Sequence, residues 1–145
     1  MNKTFWIGFV AVFVVAQVIG YVVHQVLLAD TYVALADAFR PQSELMGMMW
    51  MMTVGSVVSL WLFCYIFTRG YEGKGISEGL RYGLLIGLFI AIPMAINQYV
   101  VYPVSSNLAL IWAVTGVVGY IILGAVFAAI YKPAASTAHS VAAAT

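Results

Sequence analysis

Four long apolar runs without a charged residue dominate the pattern along the chain. They cover residues 4–28, 45–68, 82–102 and 108–131, and the segments between them hold the charges. A helix needs about 20 residues to cross about 30 Å of hydrocarbon, so each run is long enough. Strands of a membrane barrel would alternate apolar and polar residues, and the runs lack that alternation. The pattern therefore predicts four transmembrane helices.

Composition and charge support this class and exclude others. Hydrophobic residues make up 64% of the chain and charged residues 8%, which is too little charge to cover a water-soluble protein. The formal net charge of +1 provides no basic patch for phosphates, so we expect a lipid bilayer and no nucleic acid as partner. A single cysteine, Cys64, excludes an internal disulfide and a multi-cysteine zinc site.

The basic residues are divided unevenly between the two sides of the predicted bundle. With four spans, the N-terminus, the middle loop and the C-terminal tail share one side. Five of the six basic residues lie there: Lys3, Arg69, Lys74, Arg81 and Lys132. Because Lys and Arg collect on the cytoplasmic side, both termini should be cytoplasmic. The predicted fold is an all-α polytopic membrane protein with four transmembrane helices in an antiparallel bundle.

A single transmembrane domain should account for most of the chain. We assign residues 1–133 to it and expect a disordered tail over 134–145. The first run is longer than a secretory-signal core, and no clear cleavage site follows it, so we expect it to be retained. We also expect Asp30 to cap a short surface helix and Ser77 to cap the third span, with Glu78 in its first turn.

Small residues recur at four-residue spacing along the third span. This small-residue strip consists of Gly79, Gly83, Gly87 and Ala91, continued by Ala95. In lipid, helices associate through close van der Waals contact, which small residues permit. The fourth span carries a comparable set after a short loop: Gly116, Gly119, Gly124 and Ala128. Spacing alone leaves open whether the strip packs within one chain or between subunits.

Polar residues near one end of the spans form the candidate site. They are Gln17, Tyr21, His24, Arg40, Asn97 and Gln98. The first three share a face of the first helix, at i, i+4 and i+7. In a structural interpretation, bonds such as Gln17–Ser56 and His24–Gln98 fix helix register. In a functional one, an outward-facing polar vestibule holds a small ligand or a proton, and His24 titrates.

Residues for catalysis are not assembled in the sequence. It contains no Ser–His–Asp set, no carboxylate pair and no H-E-x-x-H pattern. We therefore expect no enzymatic activity, no bound metal and no cofactor.

A series of motifs resembles those of a known family. They are His24 with Leu27, Leu28 and Tyr32, Arg40-Pro41, the methionine and tryptophan run, Tyr65, and the segment GYEGKGISEGLRYGL from Gly70. Over about residues 4–133, the chain resembles a widespread family of small bacterial four-span inner-membrane proteins. The resemblance implies a bacterial inner-membrane location and no particular biochemistry.

These observations lead to two functional expectations. The first is a membrane protein without catalysis that acts through helix packing, as a homo-oligomer or as an accessory subunit of a membrane complex. The alternative is a transporter, channel or binding protein for a small solute or proton, which uses the vestibule around His24 and Gln98.

Overall fold

The computed structural model describes residues 2–132, and all regular elements in that range are helical. Helix α1 spans Lys3–Tyr21 and continues as a π-helical segment over Val22–Leu27. The short helix α2, Ala29–Ala34, and a 3-10 turn, Ala36–Ala38, follow. Three long helices complete the chain: α3 at Gln42–Arg69, α4 at Ile76–Val101 and α5 at Ser106–Ile130. The tail expected over 134–145 lies outside the described residues.

Four helices are long and apolar enough to cross a membrane, which confirms the prediction of an all-helical, multi-pass protein. Their ends differ from the edges of the charge-free runs, most clearly at α4. This helix begins at Ile76, although its charge-free run begins after Arg81. A charge ends such a run but not a helix, because a helix can extend beyond the hydrocarbon and keep its charged side chains in water.

Helices α4 and α5 pack along their whole length. All five residues of the small-residue strip are buried against α5 or its neighbours. The facing pairs are Gly79–Gly124, Gly83–Tyr120, Gly87–Val117 and Ala91–Gly116. A Cβ atom on Gly79 would overlap the carbonyl oxygen of Gly124, so the two backbones are in direct contact. Gly119, by contrast, lies near Ile19 of α1.

Helix α1 and the C-terminal half of α3 complete the packed part of the bundle. Gly8 of α1 accommodates the ring of Phe127, since a Cβ atom there would lie 2.8 Å from a ring carbon. The Tyr82 hydroxyl donates a 2.6 Å hydrogen bond to the Phe63 carbonyl, which joins α4 to α3. The shared core consists of Phe5, Val12, Leu60, Phe63, Cys64, Phe67, Leu123, Phe127 and Ala128.

The N-terminal half of α3 has few neighbours in the chain. We call residues 43–59 the open half of α3. Ten consecutive residues in it, 46–55, are exposed on every side of the helix. A Cβ atom on Gly47 or Gly55 would meet no atom within 4 Å. The helix is therefore packed only from Leu60 onward.

The α3–α4 loop, residues 70–75, folds around a single carboxylate. Glu78 is only 5% exposed, and it accepts hydrogen bonds from the N–H groups of Glu72 at 2.7 Å and Lys74 at 2.9 Å. Gly73 and Gly75 have φ angles of +79° and +66°, which glycine adopts without the steric cost of a Cβ atom. The carboxylate thereby pairs two loop amides that would otherwise lack partners.

Two predicted helix caps are wrong. Gly75 precedes α4, and Ser77 lies inside the helix, where its hydroxyl donates to the Lys74 carbonyl. No side chain caps α4, and the Glu78 side chain reaches back to amides of the loop before the helix. Similarly, α2 begins at Ala29 after Leu28, so Asp30 lies in the first turn and is not the N-cap.

Candidate functional site

His24 lies in the π-helical segment that ends the first span. In this segment the N–H of Leu28 donates to the Val23 carbonyl at 3.0 Å, an i to i+5 bond that widens the helical turn. Such segments are rare and are frequent at functional sites. Leu28 is buried immediately afterwards, and α2 begins at Ala29, which places Tyr32 beside His24.

Three side chains from different elements join in one hydrogen-bond network. The Tyr32 hydroxyl oxygen lies 2.7 Å from Nδ1 of His24, and Nε1 of Trp112 donates to the same oxygen at 2.9 Å. The His24 and Tyr32 ring planes are 18° apart, with centroids separated by 5.9 Å. We call these residues the His24 network. It ties the end of the first span to α2 and α5.

Donor counting fixes one of the two bonds in this network. An indole N–H can only donate, so the Tyr32 oxygen accepts from Trp112. The bond to His24 forms with either tautomer of a neutral imidazole: the phenol O–H donates to Nδ1, or Nδ1–H donates to the phenol oxygen. The Tyr32 oxygen is therefore the atom that both other side chains contact.

The surroundings of Tyr32 keep its hydroxyl protonated. Partial burial raises the pKa of Tyr32 above its ordinary value, and the hydrogen bond from Trp112 acts in the opposite direction with a smaller effect. Beneath the network lies a small apolar core formed by Val23, Leu28, Val104 and Leu108. Phe39 adds an edge-to-face contact with Tyr32, at a centroid distance of 5.8 Å. Tyr32 is thus protonated at neutral pH.

The six predicted site residues are not joined to one another. Among the hydrogen bonds within residues 2–132, none links two of them. Gln17, Tyr21 and Asn97 are exposed, and Gln98 is partly buried. Arg40 pairs with Glu44 at 3.4 Å on the exposed start of α3. The suggested Gln17–Ser56 and His24–Gln98 bonds are not formed in this range, since His24 bonds to Tyr32 instead. Whether these residues bind a solute stays a prediction.

Sequence reasoning missed the two partners of His24. Tyr32 is eight residues away and Trp112 lies in the fourth apolar run, and neither is among the six candidate site residues. The sequence signal that could have identified Tyr32 is its place eight residues after His24 in the first motif of the family resemblance. Trp112 is 80 residues from Tyr32, so only the packing of α5 against the first span reveals it.

Other features of the described residues do not extend this site. Within 2–132, no three His, Cys, Asp or Glu side chains converge to hold a metal ion. A shallow groove of about 260 Å³ lies between α4 and α5, with Ala95, Tyr99 and Ser106 in its lining, and neither Asn97 nor Gln98 lines it. No protein-family model, curated protein or solved structure matches the chain.

Proposed function

We propose that this chain is a bacterial inner-membrane protein that acts through helix packing, as a homo-oligomer or as an accessory subunit of a membrane complex. The proposal includes an antiparallel four-helix bundle with both termini in the cytoplasm. Five of the six basic residues on one predicted side favour that orientation. The register of α4 on α5 is compatible with it, because increasing numbers on α4 face decreasing numbers on α5.

The observation that carries the proposal is the exposure of the open half of α3. A transmembrane helix in a bundle normally buries one face, as α4 does once per turn along its length. In the open half of α3, residues 46–55 bury no face within the chain. A helix from another polypeptide could therefore pack against any of its sides.

Small residues make the open half suitable for close helix contact. Gly47 and Gly55 lie two turns apart on one face, and the space beside both is empty. In lipid, such positions allow another backbone to approach. The methionine side chains between them are flexible and fill irregular gaps, as is usual at adaptable binding surfaces.

The amide of Gln17 supports a partner from outside the chain. It lies near the middle of the first span, Lys3–Leu27, and is exposed, and no hydrogen bond within residues 2–132 involves its side chain. An unpaired polar group in hydrocarbon costs several kcal/mol, about the worth of a few interhelical hydrogen bonds. A neighbouring subunit that supplied a donor and an acceptor would remove this cost.

Site-specific photo-crosslinking in native membranes tests the proposal. A photoreactive amino acid is placed at Met52 in the open half, which is 70% exposed. Phe89 on α4, 78% exposed, is the matched control, because its helix is already packed on its other face. Mass spectrometry identifies the products.

The expected result is one discrete product from Met52 that is weak or absent from Phe89. A product of twice the mass of the chain indicates a homo-oligomer, and a single foreign protein in the product indicates an accessory subunit. Lipid adducts alone at both positions would contradict the proposal, because the open half would then face the bilayer as Phe89 does.

A further inference from the structure

We propose that a groove between α3 and α4 binds an anionic phospholipid, with one acyl chain in its apolar part and the phosphate on Arg81. The groove has a volume of about 200 Å³ and lies beside the end of α3 and the first three turns of α4. We call it the α3–α4 groove. It involves the packed end of α3, so the proposal does not depend on what contacts the open half.

The lining of this groove combines apolar and charged residues. Ile66 and Leu85 belong to charge-free runs, and both side chains are exposed. Gly70, Glu78 and Arg81 lie outside those runs, next to or shortly after the α3–α4 loop. Because charged residues mark where a span leaves the hydrocarbon, the groove extends from the hydrocarbon into the headgroup region. A phospholipid has the same division between chain and headgroup.

The size of the groove suits one segment of a lipid. Sites that enclose a drug-sized ligand have volumes of about 300–1,000 Å³. The α3–α4 groove is smaller, at about 200 Å³, and the exposure of Ile66 and Leu85 leaves it open to the surrounding lipid. It therefore accommodates part of an acyl chain while the rest of the molecule stays in the bilayer.

Arg81 supplies the donors for the phosphate. Within residues 2–132, its guanidinium makes one hydrogen bond, from Nη2 to Glu72 at 3.0 Å. A guanidinium carries about five N–H groups in a fixed fork, so several remain for another anion. Glu72 also pairs with the Lys74 ammonium at 2.6 Å, so two cations share one carboxylate. This cluster therefore keeps one positive charge in excess.

The other charges near the groove do not oppose an anion. Glu78 lines the groove, but its carboxylate oxygens accept hydrogen bonds from the Glu72 and Lys74 amides, whose dipoles offset its charge. Arg69, in the last turn of α3, has no ion pair within the described part of the chain. Basic sites between transmembrane helices bind anionic headgroups in this way.

The charge of the whole predicted side is also positive. Five basic residues and two acidic ones, Glu72 and Glu78, give it a net charge of +3. The opposite side has one basic residue, Arg40, and three acidic ones, which gives a net charge of −2. Anionic lipids are therefore attracted to the side that carries the groove.

Photo-labelling in liposomes tests the proposal. The full chain is reconstituted in phosphatidylcholine with a small fraction of phosphatidylglycerol that carries a photoreactive group in one acyl chain. A parallel sample contains photoreactive phosphatidylcholine with the same chain. After irradiation, peptide mass spectrometry locates the adducts. The groove between α4 and α5 is the internal reference, because no charged residue lines it.

The expected result is a headgroup preference at one groove. In the α3–α4 groove, phosphatidylglycerol should give about fivefold more adduct than phosphatidylcholine, the effect of one basic residue near a membrane surface. The α4–α5 groove should show no preference. Arg81→Gln should abolish the preference, and Arg81→Lys should retain most of it. Arg40→Gln is the matched control, because Arg40 is also exposed and paired with a glutamate, and it should behave like the wild type.

A second pair of variants tests the position of the acyl chain. Leu85→Trp places a larger side chain in the groove and should reduce the phosphatidylglycerol adducts there. Leu84→Trp, at an exposed position of α4 outside the lining, is the control and should leave them unchanged.

Three results would overturn the proposal. The first is an equal yield of adducts from the two lipids at the α3–α4 groove of the wild type. The second is a headgroup preference in Arg81→Gln as large as in the wild type, and the third is undiminished labelling in Leu85→Trp. Because the first comparison uses the unaltered chain, it decides the question even where a variant does not fold.

Discussion

Helix α4 and the open half of α3 are both apolar, yet they are packed very differently. The small-residue strip of α4 is buried at every turn, and its backbone touches that of α5. The open half of α3 also contains glycines, but the space beside them is empty. Hydrophobicity therefore places both helices in lipid, but it does not determine which helices they contact. Close contact depends on small residues that meet a matching surface.

The difference follows from where bulky side chains lie along α3. In its C-terminal half, Phe63 and Phe67 fill the space between α1, α4 and α5. Between residues 43 and 59 of α3, no side chain is buried. One end of α3 thus belongs to the bundle core, and the other presents its surface to whatever surrounds the chain.

The largest expected effect comes from replacing one glycine by alanine in each of the two regions, α4 and the open half of α3. A Cβ atom in Gly83→Ala would lie 2.7 Å from the Ile121 Cα atom and still closer to the Tyr120 carbonyl, so α4 and α5 must separate. We expect the free energy of unfolding to fall by about 1–3 kcal/mol. Gly55→Ala meets no atom within 4 Å and should raise it by about 0.5–1 kcal/mol through helix propensity.

Unfolding of each variant in mixed micelles, followed by circular dichroism, measures both changes. If the two substitutions changed the free energy of unfolding equally, the proposed difference in packing between the two regions would be wrong. If the open half binds a partner, Gly55→Ala should also reduce the photo-crosslink from Met52 while the isolated chain remains at least as stable. That combination would assign Gly55 to an interface between chains.

An effect of similar size is expected from the acidic residue in the first turn of α4, and a smaller one from the acidic residue in the first turn of α3. In Glu78→Gln, one oxygen must serve two loop amides, and the new NH₂ group faces an N–H group. We expect a loss of about 1–3 kcal/mol, with faster hydrogen exchange at Glu72 and Lys74. Glu44→Gln is the matched control, since its pair with Arg40 is exposed and should contribute less than about 1 kcal/mol. A larger loss of stability in Glu44→Gln than in Glu78→Gln would contradict the role given to the Glu78 carboxylate.

The smallest effect concerns the exposed carboxylate of Glu72. Hydrogen bonds from Lys74 and then Arg81 lower its pKa below the ordinary value. A lowered folded-state pKa means that the stabilisation is present above the unfolded-state pKa and is lost as pH falls through the folded one. Unfolding should therefore become slightly easier below about pH 4, near the ordinary glutamate pKa. Glu72→Gln should flatten this acid dependence, and a profile identical to that of the wild type would refute the role of the pair. Salt should weaken the effect, because both ion pairs are exposed.

Much of the helix pairing could be predicted from residue spacing. The four-residue repeat from Gly79 to Ala95 marks a continuous face, and that whole face is buried. Spacing could not show that Gly119 lies near α1, because that depends on how α5 is rotated about its axis. Nor could it separate Gly55, beside open space, from Gly83, beside a backbone. A glycine in an apolar helix has the same local sequence signal in both cases.

The candidate site was predictable only in part. His24 was identified because it is the histidine within an apolar span, and such residues are costly unless they have partners. Its partner in the structure is Tyr32 and not the suggested Gln98. The π-helical turn and the return of α2 bring Tyr32 into reach, and neither has a reliable sequence signal.

The sequence by itself determined that the chain is a multi-pass helical membrane protein, where its spans lie and which face of α4 permits close packing. These properties depend on the length and composition of local segments. A segment that is long and apolar enough to cross the hydrocarbon must pair its own backbone groups, and a helix does so. The tertiary structure alone decided that the two halves of α3 differ, that Glu78 organises a loop, and that His24 bonds to Tyr32 and, through it, to Trp112. Those outcomes depend on helix rotation, turn geometry and contacts between residues far apart in the chain, which no local segment encodes.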